Sequence, residues 1–173
     1  MSSFDFTSYA RNIATNLKDI QHVEGDTKKT RFYRVASLDK LDEVLQRITE
    51  FKNFNILVED NEEGNMVHGN ALNDKQICSF FIVQKAKIND AADRERVIKE
   101  CKAVMLKILA KVYADHITDS GNDINHQIGL RNVDFNSWQY NTFGPVIDNY
   151  YGVHTAFFVL NPISVKLNPD DWI

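Results

Sequence analysis

Ile77-Cys78-Ser79-Phe80-Phe81-Ile82-Val83, then a polar turn, then the series Val97, Cys101, Val104, Ile108 and Val112 is the part of the chain whose reading decides the fold. The apolar run is too short to cross a membrane. It is rich in the β-branched and aromatic side chains that suit a buried strand. Asn89 or Asp90 stands where a short side-chain oxygen can accept from the free N–H groups that begin a helix. The series that follows, flanked by Ile98, Met105 and Leu109, recurs at the spacing of one wide helical stripe. Asp90, Asp93 and Glu95 crowd the start of that helix, and Lys107, Lys111 and His116 lie toward its end, as the helix dipole favours. One buried strand and one long helix therefore form the centre of a core.

Working outward, Phe6, Tyr9, Ala10, Ile13, Leu17 and Ile20 trace a first helix with Asp5 as its cap. Residues 22–29 read as a connection, and Arg31 to Ala36 as a short, partly exposed strand. Ser37 is placed to cap a second helix carrying Leu38, Leu41, Val44, Leu45, Ile48 and Phe51. Phe54, Ile56 and Val58 then alternate as a strand with one apolar face. From there to Lys75 the chain is polar and reads as a connection. Beyond the long helix, residues 118–126 form a turn-rich segment. A short strand is expected over Arg131 to Phe135, with a break at Phe143-Gly144-Pro145. Residues Tyr151 to Leu160 read as the longest strand, stopped by Pro162 because proline cannot donate to a sheet ladder.

This order predicts an α+β fold: a mostly antiparallel sheet of about five strands packed by two to three helices. Its length of 173 residues suits a single domain over 1–173, with an extended C-terminal arm over 161–173. A dinucleotide-binding α/β fold is excluded, since no glycine-rich turn follows any strand.

Composition narrows the functional classes. The net charge of -4 and the lack of any basic cluster beyond Lys28-Lys29-Thr30-Arg31 argue against general nucleic-acid binding, which needs dense Lys and Arg to displace counterions. No stretch is long and apolar enough for a membrane helix, and Met1 to Asp5 lacks a secretory pattern, so the cytoplasm is the expected site of synthesis. Cys78 and Cys101 lie on core elements and are expected as buried free thiols.

Chemistry is harder to find. His22, His68, His116, His126 and His154 are scattered without a metal-ligand spacing, and no serine or cysteine sits on a strained turn beside a base. Glu59, Asn61, Glu63 and Gly64 imitate half of a calcium loop, but Asn70 stands where a bidentate Glu is required. Asp115-His116, Asp119 and Asp123 lack a buried framework to separate their pKa values. No catalytic residue, cofactor or metal is expected, and the chain reads as a non-enzyme. His154 is expected to line a sheet face or a subunit boundary.

The segment Phe143-Gly144-Pro145-Val146-Ile147-Asp148-Asn149-Tyr150-Tyr151-Gly152-Val153-His154-Thr155-Ala156-Phe157-Phe158-Val159-Leu160-Asn161-Pro162 resembles the closing strand of small bacteriophage tail-terminator and head-to-tail joining proteins. The element order before it is similar too. The resemblance implies a virion structural protein without catalytic function, made in the host cytoplasm. Copies would self-associate into a ring of six or more at the tail tube end or the head-tail junction, against tail tube or connector proteins. DNA would pass through without specific binding, which an acidic surface favours by repulsion. A ring needs heterologous contacts, for which Met66, Val67, His154, Trp172 and Ile173 are the candidate interface residues. Removing Pro169 to Ile173 is expected to weaken assembly and leave the fold intact. A second class stays open: a small acidic adaptor or immunity protein that masks a basic partner through Glu59, Asp60, Glu62 and Glu63.

Overall fold

A computed structural model describes residues 4–37, 40–48, 53–60, 64–68, 72–118 and 130–163. Helix α1 (Phe6–Asn16) starts where Asp5 accepts from the Ser8 N–H at 2.9 Å, and its buried residues Phe6, Ala10, Ile13 and Ala14 share one face. It is shorter than the apolar stripe suggested. Leu17 is already extended, and Ile20 reaches the core from the turn beyond. Helix α3 (Ala91–Thr118) is 28 residues long, about 42 Å at the helical rise. Asp90, not Asn89, is its cap, accepting from the Asp93 N–H at 2.9 Å.

Strands β1 (Phe32–Val35), β2 (Asn55–Glu59), β3 (Gly64–His68), β4 (Leu72–Lys85), β5 (Val133–Val146) and β6 (Tyr150–Pro162) form one sheet in the order β1-β2-β4-β6-β5, with β3 also paired to β4. The fold is α+β and its sheet is mostly antiparallel; only β1 and β2 run parallel. The segment read as a polar connection before Lys75 is instead a hairpin of β3 on an extended β4, which makes six strands where about five were expected. The hairpin escapes detection by hydrophobic pattern because it projects past the helices and buries no apolar face. Met66 is 67% exposed, and what holds the hairpin together is backbone pairing with residues 72–76.

The sheet has helices on both faces. Against one lie α1 and α3, burying Ile56, Val58, Phe80, Ile82, Val153, Phe157 and Val159. Against the other lies α2 (Leu41–Leu45), which with Ile48 covers Val35, Leu57, Phe81 and Val83. β2 is thus buried on both sides, against the expectation of one apolar face. Tyr9 Oη donates to Asp115 at 2.8 Å and fastens α1 to α3. Cys78 and Cys101 are buried free thiols, Cys101 pushed up to about 12 chiefly by burial.

The other differences lie near the C-terminus. β5 runs on through Phe143-Gly144-Pro145, where the expected break is a register shift with a cis Gly144-Pro145 bond. β6, at 13 residues, is one shorter than β4 and β5. Pro162 does end its pairing, opposite Asn73. Leu38, Phe51, the turn beyond Thr118, Asn61, Glu63 and Asn70 of the calcium-like loop, Trp172 and Ile173 lie outside the described residues.

Candidate interaction surface

The sheet ends at β5 on one side, and between that edge and α3 runs an apolar groove of 570 Å³. Its α3 wall is Leu106, Leu109 and Tyr113, and its β5 wall is Phe135, Trp138 and Tyr140. The groove exists because α3 carries apolar residues on more than its core stripe. Val97, Cys101, Val104, Ile108 and Val112 face the sheet, whereas Leu106 and Tyr113 are turned away and stay about half exposed. Ile117 extends this exposed row toward the helix end.

The β5 wall is held rigidly from below. Trp138 stacks on Phe157 with centroids 4.5 Å apart and planes 1° from parallel, and meets Phe80 edge-on at 6.3 Å. Phe135 is clasped edge-on by Tyr113 at 5.3 Å and by His116 at 5.1 Å. His116 Nδ1 lies 2.7 Å from the Leu130 carbonyl. At the rim, Lys102 Nζ donates to Tyr140 Oη at 2.7 Å and sits 4.6 Å from the centre of its ring. The buried indole N–H of Trp138 has no acceptor among the described residues.

The sequence named other residues. Met66 and Val67 sit side by side on β3 but point to opposite faces, since Met66 pairs with Asp74 and Val67 with Asn73. His154 shares Val67's face, but eight residues separate their partners Phe81 and Asn73 on β4, about 27 Å at the strand rise. The structure therefore does not gather Met66, Val67 and His154 into one patch. The groove residues were missed, although Leu106 and Tyr113 lying off the core stripe were a readable signal.

His154 is bonded within the sheet: Nε2 is 2.8 Å from Ser79 Oγ, and the ring stacks on Phe81 at 4.3 Å and 19°. Burial lowers its pKa below the usual imidazole value, against a smaller opposing pull from Glu59. The Ser79 and His154 pair has the elements of a nucleophile and base. Ser79, however, is 4% exposed on a regular strand, and no carboxylate orients the imidazole among the described residues. Nor do three His, Cys, Asp or Glu side chains converge as a metal site among those residues. Among them, too, no helix is long and apolar enough to cross a membrane. No protein-family model matches the chain, and comparison with curated proteins found no match.

Proposed function

We propose that this chain is a structural subunit that joins copies of itself and adjoining proteins through the groove between α3 and β5, in a virion ring of tail-terminator or head-to-tail joining type. The observation that carries the association is an apolar trough, walled by rigidly stacked aromatics, that lies open beside the edge of the sheet. Exposed apolar surface of this kind, rimmed by polar groups, marks protein contacts. Leu106, Tyr113, Ile117 and Tyr140 are each between 44% and 53% exposed, and their burial would stabilise a contact by roughly 1 kcal/mol apiece.

A closed ring also needs a second, different surface to enter the groove of the next copy. The β3–β4 hairpin supplies one. It projects from the other side of β4, away from β6 and β5, and carries Met66, an adaptable apolar knob. The virion assignment rests on the resemblance of residues 143–162. The adaptor reading is weakened because Asp60, one of its steering carboxylates, is engaged by Arg34.

The test is the mass of the purified chain by light scattering, with negative-stain microscopy of any large species. The expected result is closed rings at a fixed multiple of the 19.9 kDa subunit. A chain that remains at 19.9 kDa, alone and when mixed with tail tubes, rejects the proposal.

A further inference from the structure

At the other end of the sheet β1 has no strand beyond it among the described residues, and is flanked by α1 on one face and α2 on the other. A pocket of 260 Å³ wraps this edge, lined by Arg11 from α1, Phe32, Tyr33 and Arg34 from β1, and Val44 and Arg47 from the α2 side. Arginines from three elements thus converge on one short strand. Among the described residues Glu24 is the single carboxylate in the lining.

We propose that this edge slot binds an extended acidic segment of a second protein, which adds a strand to β1 and sets its carboxylates against Arg11, Arg34 and Arg47. The backbone half of the argument follows from the ladder. The carbonyls of Arg31 and Val35 accept from the N–H groups of Ile56 and Asp60. In a parallel pair alternate residues direct their peptide groups to the partner strand, so those of Phe32 and Arg34 point out into the slot. An extended peptide can pair with both the N–H and the C=O groups, whereas a small anion can only accept from the N–H groups.

The charge half follows from how the arginines are held. Arg11 rests 5.2 Å above the Phe32 ring centre with Glu24 at 3.6 Å, and Arg34 is bonded to Asp60. Arg47 is exposed and has no carboxylate partner among the described residues. Arg11 and Arg34 are thus held in position by one carboxylate each, and Arg47, without such a partner among the described residues, can close on an arriving carboxylate in the paired geometry that arginine favours. This inference does not depend on the groove at the opposite edge.

The probe is a fluorescently labelled hexaglutamate peptide, followed by anisotropy on the full chain. Saturable binding that weakens with added salt is expected. Arg47→Gln should weaken binding by about tenfold, the loss of roughly one charge-assisted hydrogen bond, and hexaglutamine or Arg47→Glu should weaken it by more. Hexaglutamate N-methylated at every residue keeps its charge but has no N–H to donate along either edge, so it too should bind at least about tenfold more weakly. Absence of binding, equal binding of the glutamine or N-methylated peptide, or binding indifferent to Arg47 overturns the proposal. So does complete displacement by inorganic phosphate at comparable concentration, which would make the slot a simple anion site.

Discussion

Replacing Gly152 with alanine tests how closely the sheet is built beneath its interaction surfaces. Gly152 lies on β6 between β4 and β5, opposite Val83 and Phe143. A Cβ placed there would stand 2.1 Å from the Ile82 carbonyl oxygen and 3.2 Å from Phe143 Cζ. Real Cβ atoms essentially never come within 3.0 Å of a neighbour, so the strands must part locally by about 0.9 Å. That separation stretches ladder bonds near 2.9 Å beyond the range of a hydrogen bond. Losing about two such bonds at roughly 1 kcal/mol each, with overpacking strain of about 1–3 kcal/mol, predicts a destabilisation of about 3–5 kcal/mol. At this size the melting temperature should fall by roughly 10 °C. Urea unfolding followed by circular dichroism measures the change, with the slope against denaturant unchanged. Gly25 is the control: it has φ +77° and nothing within 4 Å of an added Cβ. Alanine there should cost only the left-handed conformation, about 1–2 kcal/mol. If Gly152→Ala costs no more than Gly25→Ala, the reasoning about strand separation is wrong.

Two further predictions concern acid and neutral pH. Asp5 has its pKa lowered, first by the hydrogen bond from the Ser8 backbone N–H. Its contribution is therefore complete above the ordinary carboxylate value of 3.8 and fades as pH falls through the lower folded value. Asp5→Ala should cost about 1 kcal/mol at pH 7, whereas Asp5→Asn keeps an acceptor and should flatten stability below pH 3.8; equal acid limbs for the wild type and Asp5→Asn would exclude the cap as their origin. His154 has its pKa lowered below 6.5, mainly by burial, so the folded state disfavours its proton. Stability should be fully present above pH 6.5 and decline as pH falls toward the folded value, and His154→Gln should remove that part of the slope between pH 7 and 5 on a melting curve series.

The most legible parts of the sequence were those whose burial is periodic. Val97, Cys101, Val104, Ile108 and Val112 announce α3 because a helix against a sheet must hide one stripe, and Phe80 to Val83 announce the middle of β4 because both faces there are covered. Asp5 and Asp90 were readable as caps for a local reason, a side chain bonding three residues ahead. What could not be read this way depends on partners distant in sequence. Gly64 to His68 form a strand only because residues 72–76 pair with them, and residues 136–142 of β5 alternate too poorly to signal an edge strand. The arginine slot was invisible for the same reason: Arg11, Arg34 and Arg47 are spread over 36 positions and meet only once the two helices flank β1. The groove was half legible, since Leu106 and Tyr113 depart from the core stripe, but its other wall depends on Trp138 being fixed by Phe157 across the sheet.

The most direct test of the account is sedimentation velocity on the wild-type chain and on Leu106→Asp. Leu106 is 49% exposed, so the charge should leave subunit stability within about 0.5 kcal/mol while placing an unpaired carboxylate in the apolar contact. The account predicts a wild type sedimenting as a discrete oligomer and a folded variant at 19.9 kDa. A monomeric wild type, or a variant that assembles as well as the wild type, would contradict it.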